Sequence, residues 1–262
     1  MSRMKDDWEN TLQGINGGIH VRHIATFDLK KCKETEDPKE IMYKKEFEQF
    51  DIIPVEDDNH AIKHIIKREQ NKPSKIPVDV TMLIPAETPL LIGIQALEKS
   101  SFKLVLGNNG IEGIVTKSDL LKLPVRMLAF AHISYLEMCM TKVIREKIGD
   151  SMETIARFLS LKRQEKCNEK YENLKQNKLD LDYVEALDFC DKRDILKKHF
   201  KLGKEFKDDM KKIEELRNQI AHSATFIKKE EDLKDFLEKL QAIEKNIDLI
   251  NRLMDKTTNI AA

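Results

Sequence analysis

The sequence predicts an α+β chain in two unlike halves: a tandem α/β repeat over residues 1–123, then an all-helical bundle over residues 124–262. Three observations predict it. All seven prolines fall between Pro38 and Pro124, and eight of the nine glycines lie before residue 150. Beyond Pro124 only Gly149 and Gly203 interrupt long runs of helix formers rich in Lys, Glu, Leu and Asp. The first half also runs twice through one order of elements: strand, helix, strand, hairpin turn, strand, helix.

In the first round, residues 21–27 read as a strand and residues 38–50 as a helix with Pro38 in its first turn. Residues 51–55 form a short apolar strand, Asp57-Asp58-Asn59 a turn, and residues 61–66 another strand. In the second round, residues 81–84 are a strand, 89–99 a helix and 102–106 a strand. Asn108-Asn109-Gly110 is a hairpin turn and residues 111–116 its partner strand. Residues 118–123 open a helix.

The second half reads as five helices. Val125, Leu128, His132, Leu136, Cys139 and Val143 recur at three- and four-residue steps on the first, which ends near Gly149. Residues 152–174 form a second, with a strongly polar far end. Tyr183, Leu187 and Cys190 mark a third, followed by Leu196 and Phe200. Phe206, Met210, Ile213, Leu216 and Ile220 mark a fourth, and the apolar positions from Leu233 to Leu253 a fifth. These add up to a helical bundle.

The 262 residues suffice for two modest cores, and 40% hydrophobic with 35% charged residues fits globular domains with a charged helical surface. Lys plus Arg equals Asp plus Glu at 46 each, which argues against a general polyanion coat but leaves room for a local basic groove. Cys32, Cys139, Cys167 and Cys190 lie far apart with no CxxC pair, and read as reduced, packed thiols. The first ten residues are polar and acidic, and no run approaches the ~18 consecutive apolar residues of a membrane span. The expectation is a soluble cytoplasmic protein with no membrane partner.

The sharpest signal of the first half is Gly113-Ile114-Val115-Thr116-Lys117-Ser118-Asp119-Leu120. A strand ending at Thr116 before a helix gathers free N–H groups and a hydroxyl where anions are favoured. Asp119, one turn on, can accept hydrogen bonds from the vicinal hydroxyls of a ribose. Phosphate near Thr116 and sugar on Asp119 together describe a nucleotide. The alternative is that Thr116 caps the helix and Asp119 favours its first turn. In the first repeat Lys63, Ile66 and Glu69 stand at the places of the glycine, threonine and aspartate, so one nucleotide site is expected, not two. The segment resembles the GIVTxxDL ending of a CBS domain, and the repeat around it has the CBS order of elements. That resemblance implies a CBS pair sensing an adenine nucleotide (AMP, ADP, ATP or a derivative), with Val115, Thr116 and Asp119 as ligand-binding residues.

The fourth bundle helix carries Leu216-Arg217-Asn218-Gln219-Ile220-Ala221-His222. Cleaving RNA without a metal needs proton transfer to and from oxygens and a cation at the phosphorane. Histidine titrates near neutrality, and arginine grips phosphate oxygens bidentately. Asn218 can orient a proton donor or the phosphate. Ile213, Leu216 and Ile220 share the core stripe, Arg217 flanks it, and Asn218 and His222, four apart, share a more exposed face. The heptapeptide resembles the arginine–polar–three–histidine motif of HEPN ribonucleases. The resemblance implies metal-independent cleavage of RNA by Arg217, Asn218 and His222, in a homodimer whose paired motifs line one cleft through the helical domain. The alternative is a surface arginine and a histidine placed favourably at a helix C-terminus.

His20 with His23, and His60 with His64, have loose metal-ligand spacing without a cysteine or carboxylate constellation, so no metal is expected. His132 lies on an apolar stripe and reads as a core residue, as Trp8 reads as packing; His199 shows no functional pattern. The combined expectation is a nucleotide-regulated endoribonuclease of toxin, defence or stress-response type. The alternative is a non-catalytic nucleotide-sensing scaffold, or the RNA-binding inert partner of a toxin–antitoxin pair.

Overall fold

The computed structural model describes residues 2–69, 72–177, 182–221 and 230–255. It is α+β, with seven strands in two mixed sheets followed by a helical region. The chain divides into two compact units, one of Gly14–Val125 and the other of Met1–Gln13 with Arg126–Ala262. The first helix, α1 (Ser2–Gly18), thus lends most of its length to the helical unit.

In the Gly14–Val125 unit the repeat is visible as two copies of one strand pattern. β1 (Cys32–Lys33) is followed by α2 (Pro38–Tyr43) and then β2 (Ile52–Glu56), which pairs parallel to it. β2 returns as an antiparallel hairpin into β3 (Ile62–Glu69), and β4 (Lys72–Pro77) adds the edge in the order β1-β2-β3-β4. The second copy has β5 (Leu83–Pro85), α3 (Leu90–Ala96) and β6 (Phe102–Gly107) parallel to β5, then β7 (Gly110–Thr116) antiparallel. The copies agree in detail. Register slips between the fourth and fifth residues of both β2 (Val55/Glu56) and β6 (Val105/Leu106). Each hairpin turn ends on a residue with positive φ, Gly110 at +113° and His60 at +60°, a conformation costly for the histidine.

Alternation along β2 and β3 sends neighbouring residues to opposite faces. Ile53, Val55 and Ile66 join Cys32, Ile41, Met42 and Phe47 in one core. Ile65 instead packs with Phe102 and Leu104 of β6, and Ile52, Ile76 and Ile114 pack against them. The sheet is therefore apolar on both faces.

Several expected boundaries move. Residues 21–27 form no strand: Val21–His23 is a 3₁₀ turn and only Thr26 bridges to Ile114. The backbone N–H groups of Val21 and Arg22 donate to Thr88 O and Ala86 O, so this stretch is satisfied without a full ladder. The helix expected over 38–50 stops at Lys44, which is extended, and a 3₁₀ turn follows at Lys45–Phe47. Met42 and Phe47 are both buried, yet five residues at 100° each would place them far apart around one helix, so the helix breaks. β4 is an addition, masked in the sequence by Pro73 and Pro77; prolines are tolerated here because β4 is an edge.

The helical unit continues with α4 (Leu123–Lys147), whose buried stripe includes Leu128, Ile133, Leu136, Met140 and Val143. By length and hydropathy α4 could cross a membrane, but 56% of its most apolar stretch is buried inside the protein, as in a core helix. The helix expected over 152–174 is two, α5 (Met152–Ala156) and α6 (Leu161–Gln176), each started by a serine in extended conformation, Ser151 and Ser160. The third expected helix is a 3₁₀ turn at Tyr183–Ala186, then α7 (Phe189–His199), which begins where Asp188 and Asp191 form a reciprocal cap. α8 (Lys204–Ala221) and α9 (Glu230–Asp255) complete the unit.

His132 is buried on α4, where desolvation pulls its pKa below the usual histidine value. As pH falls through 6.5, the unfolded chain binds a proton here that the folded chain does not, so stability declines towards acid. The decline from this residue is at most ~1.4 kcal/mol per pH unit. Urea midpoints measured between pH 7 and pH 5 should fall less steeply for His132→Gln than for the parent.

Candidate functional site

β7 ends at Thr116 as expected, but the helix expected over 118–123 is a 3₁₀ turn that stops at Lys122, which is extended. Thr116 is extended and caps the 3₁₀ turn Lys117–Leu121. Asp119 is buried, at 5% exposure, and its Oδ2 accepts from the Thr116 backbone N–H at 2.7 Å and the Thr116 hydroxyl at 2.9 Å. Its Oδ1 lies 2.6 Å from Lys122 Nζ, which also donates to Ile24 O at 2.5 Å. The Thr116 hydroxyl is 2.7 Å from that of Ser118. Both carboxylate oxygens of Asp119 are thus engaged within the turn, the arrangement of the capping alternative. A ribose on Asp119 has to displace Lys122 or share its oxygen. Val115 is buried, so only its backbone is available at the strand end. Gly113 has a definite reason: a Cβ there would lie 3.1 Å from both Phe27 Cδ1 and Thr26 O.

The first repeat differs by more than its residue types. By strand register the place of Thr116, the partner of Phe102, is taken by Lys67, the partner of Ile52, one residue beyond the Ile66 expected from the sequence. Ile66 is buried, both lie within the strand, and β3 runs on to Glu69. No helix N-terminus forms there to gather N–H groups.

On α8 the core stripe of Ile213 and Leu216 is buried, Ile220 is half-buried, and Asn218 is exposed, as the periodicity predicts. His222 lies outside the described residues. Arg217, with 41% of its side chain exposed, has Nη2 3.7 Å from Oε2 of Glu137 on α4. The other oxygen of Glu137 accepts from Lys192 Nζ at 3.0 Å, and Lys192 is only 5% exposed. A buried ammonium therefore fixes the carboxylate that faces Arg217. Glu137 and Lys192 were not singled out in the sequence. The available signal was that Glu137 is the one acidic residue in α4 before Glu146.

Glu137 and Lys192 also line a cavity of ≈ 500 Å³ bounded by α4, the Tyr183–Ala186 turn, α7 and α9, with Ser134, Met138, Thr141, Asn251 and Met254 among its walls. Arg145 in its wall is held by Asp182 at 2.7 Å and Glu185 at 2.8 Å.

The carboxylates and thiol of Asp188, Cys190 and Asp191 lie close enough together to suggest a metal centre. Their chemistry is already committed. Arg163 spans Asp191 (Nε to Oδ1, 2.7 Å, with a second contact from Nη2 to Oδ2) and Asp188 (2.8 Å). Lys166 and Lys170 add 3.1 and 3.2 Å contacts to Asp188. Burial alone would raise the Asp188 carboxyl, but these three cations outweigh it and hold it well below the usual carboxylate range. Burial and the nearby Asp191 raise the Cys190 thiol above its usual value and push that of neighbouring Cys167 up to about 12, so both are protonated at neutral pH. No family model matches the chain, and no curated protein matches it either.

Proposed function

We propose that the protein is a metal-independent endoribonuclease of the HEPN type, acting as a homodimer through its helical unit and tuned by an adenine nucleotide at a CBS-like turn. The observation that supports it best is Arg217: a part-exposed arginine whose guanidinium lies 3.7 Å from Glu137, five residues before a histidine. In the proposed reaction the 2′-oxygen attacks the adjacent phosphorus and the bond to the 5′-oxygen breaks. The proton leaves the 2′-hydroxyl and one is delivered to the 5′-oxygen, with His222 as the exchanger and Arg217 neutralising the phosphorane. Asn218, exposed beside Arg217, orients the phosphate or the proton donor. Two motifs across a two-fold axis supply a complete cleft. The setting is a toxin, defence or stress-response effector. Purified protein in EDTA should cut mixed RNA and leave DNA intact, since DNA lacks the attacking hydroxyl; equal cutting of both, or of neither, contradicts this reading.

The saturation of Asp119 by Thr116 and Lys122 favours a second reading, in which the CBS-like half is a scaffold and binds no nucleotide. The two separate on one variant. Asp119→Ala removes one half of the reciprocal cap with Thr116 in either case, at about 0.5–2 kcal/mol, visible as a lower melting temperature. Under the nucleotide reading it also weakens AMP, ADP or ATP more than their 2′-deoxy analogues in calorimetry. Binding should alter cleavage, through a coupling of ~1–3 kcal/mol in the linked equilibrium.

A further inference from the structure

We propose that the cavity bounded by α4, α7 and α9 is a nucleoside pocket that takes the base and ribose next to the phosphate gripped by Arg217, with a preference for adenine. This rests on the ribonuclease reading and adds where the strand lies and what it selects.

Position carries the first part. Glu137 is at once a wall of the cavity and the partner of Arg217, 3.7 Å away, so a phosphate gripped by that guanidinium lies one side chain from the cavity wall. Size agrees: ≈ 500 Å³ falls inside the ~300–1,000 Å³ of small-ligand clefts.

Electrostatics decides which part of a nucleotide goes in. Lys192 is neutralised by Glu137, Arg145 by Asp182 and Glu185, and the third cation of the lining, Lys142, lies 3.9 Å from Glu146. A lining whose strongest cations are already paired suits an uncharged base and leaves the phosphate to Arg217 outside. Met138 and Met254 offer polarizable, adaptable walls for a flat ring. Asn251 presents an amide donor and acceptor side by side, the pattern that the N6 and N7 edge of adenine completes. Recognition of RNA by splayed-out single-stranded bases uses such pockets.

The test uses the full-length protein and uncleavable 2′-O-methyl oligonucleotides of A, C, G or U, with affinity read by fluorescence anisotropy. Oligo(A) should bind tightest. Asn251→Ala should erase that preference, a loss of roughly 5- to 150-fold for A alone, the worth of one bidentate base contact. Met254→Trp, which fills the cavity, should weaken all four. Asn251→Ala is a small polar change that keeps the test decisive if the tryptophan variant does not fold. Binding without base preference, or preference unchanged in both variants, overturns the pocket, and cleavage that remains sensitive to Arg217→Ala then leaves the ribonuclease reading standing. Conversely, an intact preference in a protein that cuts no RNA removes the chemistry and keeps the pocket. Dissociation of the dimer by Met254→Trp, seen in light scattering, reassigns the cavity to the contact between two copies and overturns the proposal.

Discussion

Arg163→Met should destabilise the helical unit by up to about 3 kcal/mol, the low end of the cost of leaving a buried carboxylate, Asp191, without its cation, because Arg163 and Asp188 are themselves only part-buried. Asp191 is 2% exposed, and Arg163 spans both it and Asp188. Without the guanidinium, Asp191 keeps the Asp188 backbone N–H at 3.0 Å and the Cys167 thiol at 3.5 Å, which also limits the loss. Arg163→Lys should recover little, because an ammonium cannot reproduce the planar two-nitrogen contact. Urea unfolding followed by circular dichroism measures both. The pH response fixes the sign of the electrostatics. Asp188 is depressed in the folded state, so its contribution is fully present above the unfolded carboxylate pKa and is lost progressively as pH falls from there towards the much lower folded value. Arg163→Met should therefore cost somewhat less at pH 3 than at pH 7, and less again at pH 2. An equal loss at all three would point to packing of the arginine stem.

Arg217→Ala and His222→Ala should each lower RNA cleavage by about 10²–10⁴-fold, the usual worth of a positioned proton carrier or a preorganised charge. Neither should change the far-UV circular dichroism or the dimer mass. Arg217 is at the rim of the core, and its ion pair with Glu137 is long at 3.7 Å, so little stability rides on it. Glu137→Gln tests the anchor separately. It leaves Lys192 buried without a carboxylate, so it should lower stability and cleavage together, whereas Arg217→Ala lowers cleavage alone. Stopped-flow rates beside melting curves separate the two effects. Undiminished cleavage by both Arg217→Ala and His222→Ala would remove this motif from the chemistry.

Local patterns made much of the fold legible. The proline and glycine distribution separated the sheets from the helices, and the hairpin at Gly110 came from turn chemistry. The apolar spacing along α8 and α9 gave those helices to within a few residues. What escaped was decided by tertiary contact. β4 hides behind two prolines that only an edge permits, and α2 ends where Met42 and Phe47 must share one core. Ser160 divides α5 from α6 inside a run that composition alone reads as one helix. At the sites, Thr116 and Asp119 were legible because their chemistry lies within four residues of sequence. Lys122 was not, since its role depends on Ile24 lying beside it, nor were Glu137 and Lys192, 55 residues apart.

The central claim, that this chain cuts RNA through the ribose 2′-hydroxyl, meets its most direct test in the ends of its products. Purified protein incubated with RNA in EDTA should leave 2′,3′-cyclic phosphate on one fragment and a 5′-hydroxyl on the other, resolved by mass spectrometry. Intact RNA, or fragments carrying 3′-hydroxyl and 5′-phosphate ends, would contradict it.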